Sequence, residues 1–143
     1  MNTSWRIEGS IPPIKAVMRP FPFSLESEAT VERARSLMAE HEIRHLPVHE
    51  AERLVGIVSE RDLRGVDGGR PVSAIMSAPA VHVEMDHPLD EVLLTLAEGR
   101  IGSVLVIRGG RVAGIFTTTD ACRLLGEALH RLAPAGANGD DVA

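Results

Sequence analysis

Two stretches of the chain carry apolar residues at the spacing of one face of an α-helix. The first begins after Thr30, whose hydroxyl can accept a hydrogen bond from the first helical turn. The second follows Asp86-His87-Pro88, where a proline suits the start of a helix. The apolar positions are Val31, Ala34, Leu37 and Met38 in the first stretch and Leu89, Val92, Leu93 and Leu96 in the second. This pattern predicts two amphipathic helices.

Each predicted helix is followed by two short apolar runs that are typical of buried β-strands. The first pair covers residues 46–49 and 54–58, and the second pair covers 104–107 and 112–116. Gly109-Gly110 lies between the strands of the second pair and predicts a tight hairpin. A further helix is expected to begin at Ser59 after the first pair and at Thr117 after the second. The predicted order is therefore helix–strand–strand–helix, twice.

The two halves of this pattern repeat at a constant offset. Residues 56–62 read Gly-Ile-Val-Ser-Glu-Arg-Asp and residues 114–120 read Gly-Ile-Phe-Thr-Thr-Thr-Asp, so the offset is 114 − 56 = 58. One such unit is too small to bury its sheet, and two copies packed sheet to sheet would form an α/β (α+β) fold with pseudo-two-fold symmetry. The expected divisions are an N-terminal arm (1–13), repeat 1 (14–66), repeat 2 (72–131) and a disordered tail (132–143). Trp5 and Ile7 could dock this arm on the body of the protein or on a second chain.

Composition narrows the class of protein. Apolar residues make up 44% of the 143 residues, which suffices for a core, while the net charge of −5 argues against binding to nucleic acid. Cys122 is the single cysteine, which excludes an intrachain disulfide and favours a reducing compartment. The first residues lack the apolar run of a signal peptide, and no run is long enough to span a membrane. We expect a cytoplasmic protein.

The repeated hydroxyl residue and aspartate suggest a ligand site. A hydroxyl residue between a strand and a helix leaves backbone N–H groups unpaired at the positive end of the helix dipole, which suits a phosphate. An aspartate three residues later can accept the hydroxyls of a ribose. Ser59-x-x-Asp62 and Thr117-x-x-Asp120 can also be simple capping boxes, in which the acid only closes the helix start. Both interpretations stay open.

The doubled pattern resembles a known family, the cystathionine-β-synthase-type (CBS) domain, and the tandem copy resembles the CBS pair or Bateman module. The residues that carry the resemblance are Val17-Met18, His45-Leu46-Pro47-Val48 and residues 54–62 in the first copy, and Ile75-Met76, Ser103-Val104-Leu105-Val106 and residues 112–120 in the second. The resemblance implies a cleft between the repeats in which the aspartate binds ribose and the neighbouring Ser or Thr lies near phosphate. It also implies a homodimer formed through helices.

The same resemblance implies which residues share each half of the cleft. Ligand residues expected around the two aspartates are Ser59, Asp62, Met76, Val81, Ile101 and Gly102 on one side, and Met18, Phe23, Ile43, Arg44, Thr117, Thr119 and Asp120 on the other. Gly102 would leave room for a flat base, whereas Arg44 and Phe23 would fill the matching space. We therefore expect the Asp62 pocket to accept adenine more readily. The Asp120 pocket is expected either to be narrower or to bind a phosphate through Arg44.

Several other side chains are candidates for phosphate contact, metal binding or catalysis. Arg44, His45 and Arg61 are candidates for phosphate contact, with solvent exposure of Arg61 and packing of His45 as alternatives. His41, His45 and His49 recur every four residues, but Pro47 forbids a continuous helix, so a metal site is not predicted. Cys122 is expected to be a packing residue, and no catalytic constellation is apparent.

These observations favour a regulatory module rather than an enzyme. The expected ligand contains adenosine, with AMP, ADP and ATP first and S-adenosylmethionine or NAD next. Its signal would pass through a change of shape or assembly to a regulated protein or to its own homodimer. The alternative from another class is a structural or interaction protein without a small-molecule ligand.

Overall fold

The structure is a computed structural model that describes residues 9–132. Its helices are α1 (Val31–His41), α2 (Leu89–Gly99) and α3 (Thr118–Leu132). Its strands are β1 (Arg19–Pro20), β2 (Leu25–Glu26), β3 (His45–Glu50), β4 (Arg53–Ser59), β5 (His82–Glu84), β6 (Ser103–Arg108) and β7 (Arg111–Thr117). Single 3-10 turns cover Ile14–Ala16, Arg61–Leu63 and Val72–Ala74. The predictions for Trp5, Ile7 and residues 133–143 lie outside the described part.

Helix α1 forms where the apolar pattern predicts it. Thr30 Oγ1 accepts a hydrogen bond from Arg33 N at 3.1 Å, which confirms Thr30 as the cap. Its four predicted apolar positions are buried. Glu42 then adopts the left-handed conformation, with φ of 53°, and ends the helix. Arg100 ends α2 in the same way, with φ of 51°.

The strands form two sheets with the same central hairpin. One sheet has the order β2-β3-β4 and the other the order β1-β7-β6-β5. The two hairpins, β3-β4 and β6-β7, are antiparallel, and each strand extends one residue beyond its predicted bounds at both ends. Gly109 and Gly110 have φ of 58° and 78°, which confirms the tight turn that glycine permits. The predicted mixed α/β fold is therefore confirmed.

The short segment at the start of each repeat packs on the other repeat. Ile14 is fully buried in a core cluster with Val92 and Phe116, and strand β1 pairs with β7. Val72 is buried in the core cluster that contains the apolar residues of α1. Ser77 exchanges two backbone hydrogen bonds with Ile57, at 2.9 and 3.0 Å. Each structural half thus contains residues from both sequence repeats.

One expected element is absent from the first half. The helix predicted to begin at Ser59 is wrong: only the 3-10 turn Arg61–Leu63 forms, whereas α3 continues to Leu132 in the second half. Gly65 has φ of 71°, a conformation that ends a helix, and Arg35 Nη2 donates to the carbonyl oxygens of Leu63 and Val66 at 2.7 and 2.5 Å. These contacts satisfy carbonyls that a continued helix would have used.

Two further observations concern the described surface. No helix within residues 9–132 is both long and apolar enough to cross a membrane. Cys122 is exposed on α3, so the expectation that it packs inside this chain is wrong. It lies on the outward side of a helix whose inward side carries Ala121 and Leu124.

Candidate functional site

A cleft of about 650 Å³ opens between the two halves, where the carboxyl end of β4 faces the start of β6. The apolar lining includes Ile57, Ile101 and Val81. The polar lining contains four arginines and two acids, together with His45 and several serines and threonines. The cleft therefore combines an apolar wall with a cationic rim.

The structure brings many of the predicted site residues to this cleft and leaves others elsewhere. The predicted residues that line it are Arg44, His45, Ser59, Arg61, Asp62, Val81, Ile101, Gly102 and Thr119. Outside the lining are Met18, Phe23, Ile43, Met76, Thr117 and Asp120. The cleft thus collects the residues expected around Asp62 more completely than those expected around Asp120.

Asp62 is held at the cleft by a capping box but keeps one carboxylate oxygen available. Its Oδ2 accepts a hydrogen bond from Ser59 N at 2.8 Å, and its own N–H donates to Ser59 Oγ at 3.2 Å. Within residues 9–132, no protein group donates a hydrogen bond to Oδ1. The capping interpretation and the ligand interpretation are therefore compatible at this residue, because the cap uses one oxygen and leaves the other. The helix-dipole part of the phosphate prediction does not apply here, since the following turn has only three residues.

Asp120 has a different environment, although it occupies the equivalent position of the repeat. Its Oδ2 accepts from Thr117 N at 3.0 Å and from Thr117 Oγ1 at 2.9 Å. Its Oδ1 accepts from Arg19 Nε at 2.8 Å and from Arg123 Nη1 at 3.3 Å. The side chain is only 7% exposed. Both carboxylate oxygens are thus occupied by protein donors.

His45 lines the cleft and is close enough to both aspartates for their charges to act on it. A Cβ atom added at Gly102 would lie 2.8 Å from His45 Nε2, so the imidazole lies against the glycine backbone. The expectation that Gly102 leaves room there for a flat base is therefore wrong, because His45 fills that space. Burial lowers the pKa of His45, and the nearby Arg44 lowers it further, while Asp62 and Asp120 act in the opposite direction. The neutral imidazole is therefore favoured, and the charge at the rim comes from arginine.

The site includes cations that the sequence predictions missed. Arg64 and Arg100 line the cleft together with Arg44 and Arg61, opposed by the acids Glu60 and Asp62. The side chain of Arg44 is 78% exposed, and its Nε lies 3.6 Å from Glu60 Oε2. Arg100 follows α2 in the left-handed conformation, and its place next to the predicted Ile101-Gly102 was the signal that could have identified it.

The predicted residues that lie elsewhere have structural contacts of their own. Met76 and Met18 pack against Gly56 and Gly114, where an added Cβ would meet the thioether and a backbone carbonyl. Phe23 stacks on His41 with ring centroids 3.7 Å apart, so it does not fill the space beside Asp120 as expected. The side chains of Arg19 and Arg123 reach Asp120 instead, and neither is among the predicted site residues. Ile43 packs against the core of the first half.

The histidines spaced four residues apart do not converge. His41 stacks on Phe23 at the end of α1, and His45 lines the cleft. His49 Nδ1 lies 2.9 Å from the carbonyl oxygen of Ala51 and 3.3 Å from Glu26 Oε1. Among residues 9–132 there is no group of three or more histidine, cysteine or acidic residues arranged to hold a metal ion.

Comparison with known proteins identifies the repeated unit. The CBS domain family is matched twice, over residues 14–68 and 72–127. Inosine-5'-monophosphate dehydrogenase from Thermoplasma acidophilum is 35% identical over 99 residues, which cover 68% of this chain and 20% of that enzyme. The chain thus spans about a fifth of the dehydrogenase. The CBS domain-containing protein YhcV from Bacillus subtilis is 26% identical over 113 residues, covering 75% of this chain and 81% of YhcV.

Solved structures of CBS domain pairs share this fold. The CBS domain pair of protein MJ0100, in complex with 5'-methylthioadenosine and S-adenosyl-L-methionine, matches with a TM-score of 0.77 and 28% sequence identity. That match covers 82% of this chain and 98% of the other. The expected tandem arrangement is therefore confirmed twice, by the two matches of the family along the chain and by the likeness of the fold to a solved domain pair.

Proposed function

The chain belongs to the CBS domain family, and from that premise we propose that it is a regulatory module that binds an adenosine nucleotide in the cleft beside Asp62. The nucleotide changes the conformation or assembly of the protein, and a regulated protein or a second copy of the chain responds to that change. The observation that carries the proposal is the available Oδ1 of Asp62 in an open, arginine-rich cleft.

Asp62 supports the ribose part of the proposal. A ribose presents two neighbouring hydroxyl donors, and a carboxylate oxygen already fixed in orientation by the Ser59 cap is a suitable acceptor. Because the cap holds the carboxylate before the ligand arrives, little side-chain entropy is lost on binding. Val81 and Ile101 provide the apolar wall against which the adenine lies, beside the imidazole of His45 that covers Gly102.

The charge of the cleft favours phosphorylated ligands. Four arginines, Arg44, Arg61, Arg64 and Arg100, line a cleft that contains two acids, although the chain as a whole carries a net charge of −5. A guanidinium group can make two parallel hydrogen bonds to a phosphate. We therefore rank AMP, ADP and ATP above S-adenosylmethionine, whose sulfonium is cationic, and above NAD, whose cationic nicotinamide ring offsets part of its diphosphate charge.

Relatives support the adenosine part independently. The MJ0100 CBS pair was obtained with two adenosine-containing ligands, 5'-methylthioadenosine and S-adenosyl-L-methionine. Neither carries a phosphate. The arginine-rich rim of the present cleft is the reason for proposing a nucleotide here rather than the same ligands.

The outward faces of the helices support a homodimer. Leu125, Leu129 and Leu132 on α3 are 41%, 43% and 58% exposed, and Leu94 on α2 is 56% exposed. We propose that a second copy of the chain covers these leucines, since apolar helix faces in water favour association. Light scattering coupled to size-exclusion chromatography would measure the mass directly.

Isothermal titration with AMP, ADP, ATP, adenosine and S-adenosylmethionine tests the proposed function. We expect binding of the three nucleotides, with affinity rising from adenosine to the phosphorylated ligands and falling as salt screens the arginines. Absence of binding by every ligand would favour the structural alternative, in which both aspartates only cap. Turnover of ATP by the purified protein would contradict a purely regulatory role.

A further inference from the structure

The two equivalent aspartates differ in whether a protein cation already bonds them. Asp120 Oδ1 bonds both Arg19 and Arg123, at 2.8 and 3.3 Å, while Asp62 Oδ1 bonds no group within residues 9–132. The oxygen that is available in one half is therefore the oxygen that is occupied in the other.

The repeat offset shows which substitutions cause this difference. Subtracting from the shared numbering, 77 − 19 = 58 and 123 − 65 = 58, so Arg19 corresponds to Ser77 and Arg123 corresponds to Gly65. Ser77 is too short to reach across to Asp62 in place of a guanidinium, and Gly65 has no side chain. The cationic contact is therefore a property of one half only.

The backbone places Arg19 and Ser77 in matching registers. Arg19 in β1 lies opposite Ile115 in β7, and Ser77 lies opposite Ile57 in β4. Ser77 lines the open cleft, and Arg19 Nε reaches the carboxylate of Asp120. Because the two backbones match, the side chain at this position decides whether the aspartate receives the shorter of the two guanidinium contacts, at 2.8 Å against 3.3 Å for Arg123.

We propose that Arg19 is a built-in occupant of the second nucleoside site, so that the chain binds one nucleotide, at Asp62, and excludes a second at Asp120. This inference rests on the proposed function. The guanidinium satisfies the carboxylate oxygen that a ribose hydroxyl would need, and it is held in place by the β1–β7 pairing. Arg19 is thereby a specificity-determining residue that sets the stoichiometry of the pair.

The test is the number of AMP molecules bound per chain in four proteins, measured by isothermal titration. The wild-type chain is expected to bind one. Arg19→Ser installs the residue found at the equivalent position 77 and leaves only the longer, 3.3 Å contact of the half-exposed Arg123, which a ribose hydroxyl can displace, so this variant is expected to bind two. Asp62→Asn is expected to lose the single site of the wild type, whereas the double variant Arg19→Ser/Asp62→Asn is expected to retain one site, at Asp120.

The outcomes separate this inference from the proposed function. Two sites in the wild type would overturn the exclusion by Arg19 and leave nucleotide binding intact. A folded Arg19→Ser protein that still binds one AMP would also overturn it. A wild type that binds none, with one site appearing in Arg19→Ser, would contradict the Asp62 site but support the role of Arg19. No binding in any of the four would overturn both.

If Arg19→Ser does not fold, a second variant tests the part of the inference that places the single AMP at Asp62 and not at Asp120. Asp120→Asn leaves Arg19 in place and keeps an oxygen acceptor for Thr117. It is expected to bind AMP like the wild type, because Asp120 takes no part in the occupied site. Loss of AMP binding in Asp120→Asn, with binding preserved in Asp62→Asn, would overturn the assignment.

Discussion

Replacing Asp62 by asparagine separates the two roles of this carboxylate. Asparagine keeps one oxygen that can accept the hydrogen bond from Ser59 N, so the cap at the end of β4 is retained. It replaces the second oxygen, Oδ1, by an NH₂ group that donates where the ribose hydroxyls must also donate. The variant should therefore unfold much like the wild type in the absence of ligand but bind nucleotide poorly.

The size of the effect follows from the hydrogen bonds that are lost. A hydrogen bond to a charged group contributes about 1.5–3 kcal/mol, so the loss of one or two such bonds weakens binding on the order of 100-fold. Nucleotide at about 100 times the wild-type Kd stabilises the wild type by about 2.7 kcal/mol. The same concentration would stabilise a variant with a 100-fold larger Kd by only about 0.4 kcal/mol.

Thermal unfolding with and without ADP measures this difference, and Asp90→Asn is the matched control. Asp90 is an exposed acid in the first turn of α2 that does not line the cleft, so its variant should keep the full stabilisation by ADP. If Asp62→Asn retains the wild-type response to ADP, a carboxylate acceptor for ribose is refuted. An equal loss in both variants would mean that net charge, rather than Asp62, governs binding.

Three further changes test packing, pH response and assembly. Gly114→Ala brings a Cβ within 3 Å of a backbone carbonyl and against a thioether, so urea unfolding should show that the free energy of unfolding falls by about 1–3 kcal/mol. The control Gly126→Ala meets nothing within 4 Å and should stabilise α3 by up to about 1 kcal/mol; equal effects of the two changes would contradict the close approach at Gly114. Because burial lowers the pKa of folded His45 below its unfolded value of 6.5, its contribution to stability is present above pH 6.5 and is lost as pH falls toward the folded pKa. His45→Asn should remove this acid-dependent loss of stability, and a variant whose stability varies with pH as in the wild type would contradict the prediction. Leu125→Glu/Leu129→Glu should reduce the mass seen by light scattering to that of one chain, and a mass identical to the wild type's would argue against the proposed interface.

The repeated framework could be predicted from the sequence because its signals are local. Apolar spacing identified α1 and α2, and alternating turn and strand signals identified both hairpins to within one residue at each end. The constant offset then paired the two halves. Gly109-Gly110 predicted its turn correctly because only a few residue types accept positive φ at both positions.

The remaining features depend on contacts between distant residues. The hydroxyl–aspartate pattern predicted the same helix after Ser59 and Thr117, but the positive φ of Gly65 and the contacts of Arg35 with two carbonyls stop the first one. Arg19 was overlooked because its partner Asp120 is 101 positions away, and only the pairing of β1 with β7 brings them together. Local patterns carry no information about such pairs.

The geometry of bound nucleotide tests the central claim most directly. We propose crystallising the chain with saturating ADP and measuring the distances from the ribose hydroxyls to the two aspartates. The account predicts a ribose hydroxyl within hydrogen-bonding distance of Asp62 Oδ1, about 2.5–3.0 Å, with the phosphates among the arginines of the cleft. A ribose bound at Asp120, or a cleft left empty by ADP that is bound elsewhere on the chain, would contradict it.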